Sequence, residues 1–258
     1  MMTRTFWRAA GITILALAAG ATALAQRGGF RQPMSYSDNV PYDGRFVFVR
    51  MSYPTLGLGG RNSFYPPWSH DYPDGERHFM QILTAVTNLS GHVDGSSIMS
   101  FDDPEVFKNP VIYLCEPGYW SISDAQVVAL RSYLQKGGFL IVDDFPSVAW
   151  SNFEEQMRRV FPQGSWLDMN ELPAHPIFHA FYEVDANNIP TYYDLGGKPD
   201  FRAMFEDNDP TKRMYVIANY KNDLSEYWEF SETGLKPVDE SNEAYKFGVN
   251  EFIYGITH

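Results

Sequence analysis

Apolar and polar positions along residues 109–145, NPVIYLCEPGYWSISDAQVVALRSYLQKGGFLIVDDF, change period twice. Val111 to Cys115 form a short continuous apolar run, as in a parallel strand buried on both faces. Ser123-Asp124-Ala125-Gln126 reads as a capping box that opens a helix. Val127, Val128, Leu130, Tyr133 and Leu134 then recur at helical spacing. Gly137-Gly138 fits the helix end, where a residue without Cβ takes positive φ at little cost. FLIV makes a second strand and stops on two adjacent carboxylates, Asp143 and Asp144. Ligands in open α/β sheets bind beyond the carboxyl ends of the strands. This strand–helix–strand unit therefore sets the fold class and marks the Asp pair as a candidate site.

The same reading extends along the chain. Phe46 to Met51 predicts the first strand. Tyr53 to Asp74 carries glycine, proline and aromatics without a period, and a loop that long is usually functional. Glu76 to Leu89 predicts a helix with Phe79, Ile82, Leu83 and Val86 on one face. Ser97 to Ser100 predicts a short strand, and Asp103 to Phe107 one helical turn. Asn152 to Phe161 predicts a helix stopped by Pro162. Ile177 to Val184 and Met214 to Asn219 predict strands, and Asn242 to Ile256 a final helix. Strands alternating with helices predict an α/β fold: a mostly parallel open sheet with helices on both faces.

The first residues follow a different pattern. Arg4 and Arg8 precede an apolar run from Ala9 to Thr22, and Ala23-Leu24-Ala25 has the form of a cleavage site. The expected organisation is a signal peptide over 1–25, a linker or extended arm over 26–44, and a single α/β domain over 45–258. Export to the periplasm or outside the cell follows, with membrane contact only if the segment stays uncleaved. The hydrophobic fraction of 44%, with 16% aromatic, is ample for a sizeable core. The net charge is -12, and removing Arg4 and Arg8 makes it -14. So acidic a protein is poorly suited to phosphate backbones, and nucleic acid is not an expected partner. Gly57, Gly59 and Gly60 open no helix and precede no Lys-Ser or Lys-Thr pair, so no nucleotide or other cofactor is predicted.

Few residues carry a clear chemical signal. Asp143 and Asp144 can bind a hard cation, or one can act as base while hydrogen bonds hold the other. The structural alternative is that Asp144 caps the next turn while Asp143 pairs with a cation. No metal site is predicted; these two come nearest to one. His175 and His179 are four residues apart, but on a strand that is roughly 13 Å, too far for one ion. His175 alone is the expected partner of the Asp pair. In the loop Trp68 to Pro73, Asp71 can bond into the sheet top, or His70 and Asp71 can form a dyad. Residues 219–229 mix amides, carboxylates and aromatics, as in sugar or peptide sites and equally in hydrogen-bonded loops. Cys115, the one cysteine, reads as a buried strand-end residue or as a nucleophile at a turn. Its neighbours Glu116 and Pro117 argue against the sharp elbow a nucleophile needs. The expected ligand-binding set is Asp71, Tyr72, Glu116, Asp143, Asp144, His175, Asn219 and Asp223. Asp143, Asp144 and His175 are the catalytic candidates.

Several segments, RMSYP, WSHDYPDGERHF, DDPEVFKNPVIYL, LQKGGFLIVDDF, HPIFHAFY, the N-Y-x-N-D loop and GVNEFIYGITH, occur in one order from Arg45 to His258. In these the chain resembles the bacterial domain-of-unknown-function family 4159. The resemblance implies a flavodoxin-like sheet similar to class I glutamine amidotransferases. In that wider group the strand after the glycine pair leads into the nucleophile elbow. Asp143-Asp144-Phe145 holds that place here, without a cysteine, which puts amidotransferase chemistry in doubt. Two functions are carried forward. One is an exported, non-catalytic domain binding a small ligand, a glycan or an envelope protein at the sheet's C-terminal edge. The other is a hydrolase-type enzyme using Asp143, Asp144 and His175, with or without a metal.

Overall fold

The computed structural model describes residues 36–55, 65–193 and 197–258. The expected signal peptide, the first part of the arm and the glycines of 57–60 lie outside the described residues. Five parallel strands form the body of a seven-stranded sheet: β1 (Val49–Met51), β2 (Ser97–Met99), β3 (Val111–Cys115), β4 (Phe139–Asp143) and β7 (Met214–Tyr220). β5 (Leu167–Asp168) and β6 (Asp200–Phe205) add an antiparallel edge. The order is β2-β1-β3-β4-β7-β6-β5. From β1 the chain steps outward to β2, then returns past β1 to β3. The winding direction therefore reverses between β1 and β3, the doubly wound arrangement that opens a crevice at their carboxyl ends.

Each face of the sheet has its own core. On one side α1 (Asp74–Val86), α4 (Leu224–Glu229) and α5 (Val238–Thr257) bury Phe79, Leu83, Trp228, Phe247 and Phe252. Phe79 lies 4.4 Å from the Trp228 ring centre and 4.6 Å from that of Phe252. On the other side α2 (Asp124–Gln135) and α3 (Trp150–Val160) bury Val127, Leu130, Phe153 and Met157. The capping box read at Ser123 forms in full, and Gly137 takes φ 115° after the helix. β3 and β4 are buried at every residue, as their unbroken apolar runs require.

Three features depart from the sequence reading. Ile177 to Val184 is not a strand: Pro176–Phe178 makes a 3-10 turn and the rest is irregular. The Asn250 side chain takes the place of a strand partner there, accepting from Phe181 N and Tyr182 N and donating to Tyr182 O. β5, β6 and the short helix α4 have no counterpart in the elements read from the sequence. The described part of the arm lies along the outer strand. Asn39 accepts from Ile98 N at 2.7 Å and donates to Ile98 O at 2.9 Å, so a side-chain amide pairs an edge that would otherwise be open. Among the described residues no helix is long and apolar enough to cross a membrane.

Candidate functional site

The crevice at the β1/β3 reversal is built around a buried cation. Arg50 of β1 is 0% exposed and pairs with Glu76 of α1 through two bonds, at 3.1 and 2.7 Å. Its remaining nitrogen, Nη1, donates to the carbonyls of Trp68 and His70 at 3.0 and 2.9 Å. A charge that cannot leave the core thus fixes the loop that carries His70 and Asp71. Tyr53 does the same for the turn after β3, donating to the carbonyls of Cys115 and Glu116. Asp71, Glu116 and Asp144 all have left-handed backbones, with φ of 61°, 45° and 55°. Such conformations cost about 1–3 kcal/mol each and gather where a fold must aim side chains at one point.

Their side chains converge. His70 Nδ1 lies 2.8 Å from Asp144 Oδ2 and 3.2 Å from Asp71 Oδ1. Cys115 Sγ donates to the same Asp144 oxygen at 3.4 Å. Tyr193 Oη donates to the other, Oδ1, at 2.5 Å. Asp71 is held from behind by Ser225, whose hydroxyl donates to Oδ2 at 2.5 Å. Asp71 and Asp144 are buried, while the His70 side chain is 45% exposed. One oxygen or nitrogen or sulfur of His70, Asp71, Cys115 and Asp144 lies within 4.8 Å of each of the others, the spacing a metal ion needs. Asp71, Glu226 and Glu229 form a second such group.

The first turn of α4 supplies the floor. Asp143 accepts from Leu224 N, Ser225 N and Tyr113 Oη, and Asp223 caps the helix by accepting from Glu226 N. Burial and the neighbouring carboxylates raise the Asp223 carboxyl well above its ordinary range. Burial likewise pushes Glu116 up to about 8, with Asp144 adding to the effect. Glu229 also reaches about 8, through burial and then the charge of Asp71. His70 is raised as well, but by its partners and against the effect of burial. Its bonds to Asp144 and Asp71 hold its proton up to about 12. The Cys115 thiol, fully buried beside Asp144, is pushed well above its usual range and stays protonated.

Of the residues singled out from the sequence, Asp71, Glu116, Asp144 and Asp223 meet here. The imidazole that joins them is His70, not His175. His175 packs against Phe205 and Tyr254 at the opposite, N-terminal edge of the parallel strands, so the expected His175–Asp coupling does not form. Asp143 faces the start of α4 and serves it structurally. Tyr72 turns away, accepting from Ser37 N. Asn219 is fully buried beneath the site, and the aromatics of the 219–229 segment, Tyr220, Tyr227 and Trp228, are all buried in the core. That segment is therefore a helix start rather than a sugar platform. Tyr193, Ser225, Glu226 and Glu229 complete the site. The sequence signal for Ser225, Glu226 and Glu229 is only the density of carboxylates and hydroxyls after β7, and Tyr193, ahead of β6, has none.

No curated protein matches the chain. A family's sequence model does match, over residues 49–256, a span that contains every strand and helix described above except the last residue of α5. The chain belongs to that family, described as a domain of unknown function (DUF4159).

Proposed function

We propose that the chain is an exported binding domain whose β1/β3 crevice takes a positively charged ligand. The observation that carries this reading is the excess of carboxylates: Asp71, Glu116, Asp144, Asp223, Glu226 and Glu229 gather around a single imidazole. Buried carboxylates are costly unless paired, and here several are relieved only by holding a proton. A cation in the crevice replaces those protons and lowers the cost. Cys115 argues against covalent chemistry, because its buried thiol donates to Asp144 rather than standing free as a thiolate. The basic, apolar and A-x-A order of residues 4–25 supports export.

A second reading, a hydrolase-type site, is favoured by one feature. His70 is gripped by two aspartates, and Glu229 beside them holds a proton near neutral pH, as a general acid does. The class of ligand decides between the readings. Calorimetric titration of the full chain with metal ions, organic amines, neutral glycans and anions is expected to give heat only with cations. Asp144→Asn is expected to weaken that binding at least about tenfold. Binding of a neutral glycan or an anion, unchanged by Asp144→Asn, would overturn the proposal.

A further inference from the structure

We infer that the cation is a divalent transition metal held by His70 Nδ1, Asp71 Oδ1, Asp144 Oδ2 and Cys115 Sγ, which deepens the cationic reading above and rests on it. Geometry is the first argument. Zinc bonds of about 2.0–2.3 Å set tetrahedral donor separations of about 3.3–3.8 Å. The donors here already stand 2.8, 3.2 and 3.4 Å apart along three edges of such a figure. Opening it by a few tenths of an ångström admits an ion.

Unsatisfied atoms are the second argument. Asp71 Oδ1 is buried without a hydrogen bond of good geometry: its contact with His70 Nδ1 is 3.2 Å, longer than the 2.8 Å from that nitrogen to Asp144. Asp223 Oδ2, fully buried and facing the same carboxylates, is also without a partner. Native proteins leave few such atoms, and a metal held by Asp71 Oδ1 accounts for the first of these two.

Orientation is the third. The far oxygen of each carboxylate ligand is already held, Asp144 Oδ1 by Tyr193 and Asp71 Oδ2 by Ser225. The backbone of His70 is held by Arg50. This is the outer shell of hydrogen bonds that surrounds metal ligands and costs affinity when removed. Imidazole and sulfur in the donor set favour zinc and its neighbours over magnesium or calcium, which take all-oxygen sites. The partly exposed His70 leaves a path for the ion to enter.

The test uses the full chain after treatment with a chelator. Zinc titrated by calorimetry is expected to bind at one ion per chain. Cobalt(II) in its place is expected to show the near-ultraviolet absorption of a thiolate–cobalt bond. His70→Gln is expected to weaken zinc at least about tenfold, and Cys115→Ser to abolish the cobalt band. Circular dichroism of both variants separates lost binding from lost folding, and Tyr193→Phe, at the exposed rim, supplies a variant that keeps every ligand and weakens zinc less. Zinc binding that is absent in the wild type, or unchanged in His70→Gln and Cys115→Ser, overturns the inference. If an organic amine binds with dependence on Asp144 while zinc does not, the metal assignment fails and the cationic reading stands. If neither binds, both fail.

Discussion

Arg50 is the residue on which the site depends most. Its guanidinium is fully buried, paired with Glu76 and committed to two loop carbonyls. Removing one member of a buried pair leaves the other charge without compensation, which costs about 3–5 kcal/mol. Arg50→Met is expected to lose stability on that scale. Arg50→Met/Glu76→Leu is expected to recover much of it, because apolar replacements of both partners carry no stranded charge. Ligand binding is not expected to return in the double variant, since the carbonyl of His70 has lost its anchor. Denaturant unfolding and calorimetry on the same samples check both statements, and a double variant that binds normally would contradict the anchoring role. Arg50 also shows why the site was only partly legible. Asp144 could be placed because it follows a recognisable strand. His70 could not be ranked above His175, because what fixes it is a cation twenty residues earlier inside the first strand.

At the scale of elements, legibility followed local signals. The capping box at Ser123, the glycine pair and the apolar runs of β3 and β4 are each written within a few residues, and each forms as read. The segment from Ile177 to Val184 has the composition of a strand, yet its backbone is satisfied by a side chain from α5, nearly seventy residues away. β6 alternates polar and apolar residues as an edge-side strand does, but Asp200 and Arg202 hide it from a hydropathy reading. The role of Asn250 is testable. It is fully buried and serves three backbone bonds, so Asn250→Ala strands the groups it satisfied, at about 1–3 kcal/mol for each one left buried. The expected outcome is a stability loss of about 1–3 kcal/mol, with faster amide exchange at Phe181 and Tyr182. Unchanged exchange at those two amides would mean that other contacts hold the segment.

For the whole molecule, two buried groups set opposite responses to pH. Glu251 of α5 is 0% exposed, lies against Asn219 and near Asp143, and burial raises its carboxyl well above the ordinary 4.5. It therefore keeps its proton when folded and loses it when unfolded. The folded state binds more protons above about pH 4.5, so this group makes stability fall as pH rises. His175, buried between Phe205 and Tyr254 and facing His258, is lowered from 6.5 to about 4 by burial and then by His258. It is neutral when folded and charged when unfolded between those values, so its contribution is present above pH 6.5 and is lost as pH falls toward 4. Glu251→Gln keeps the shape and removes the titration. Its stability relative to wild type is expected to grow as pH rises from 5 to 8. His175→Asn can still accept from Ile177 N, as His175 does now. Its stability relative to wild type is expected to grow in the other direction, below pH 6.5, by on the order of 1–3 kcal/mol at pH 4.5. Denaturant midpoints measured every half unit of pH test both at once. A constant gap between either variant and wild type across that range would show that the group titrates alike folded and unfolded. His175 packs against Tyr254, one turn beyond Glu251 on α5, so the variant carrying both also measures how far the two effects add. The variant carrying both is expected to lose both slopes, and a slope that survives in it would belong to other titrating groups, those of the β1/β3 crevice among them.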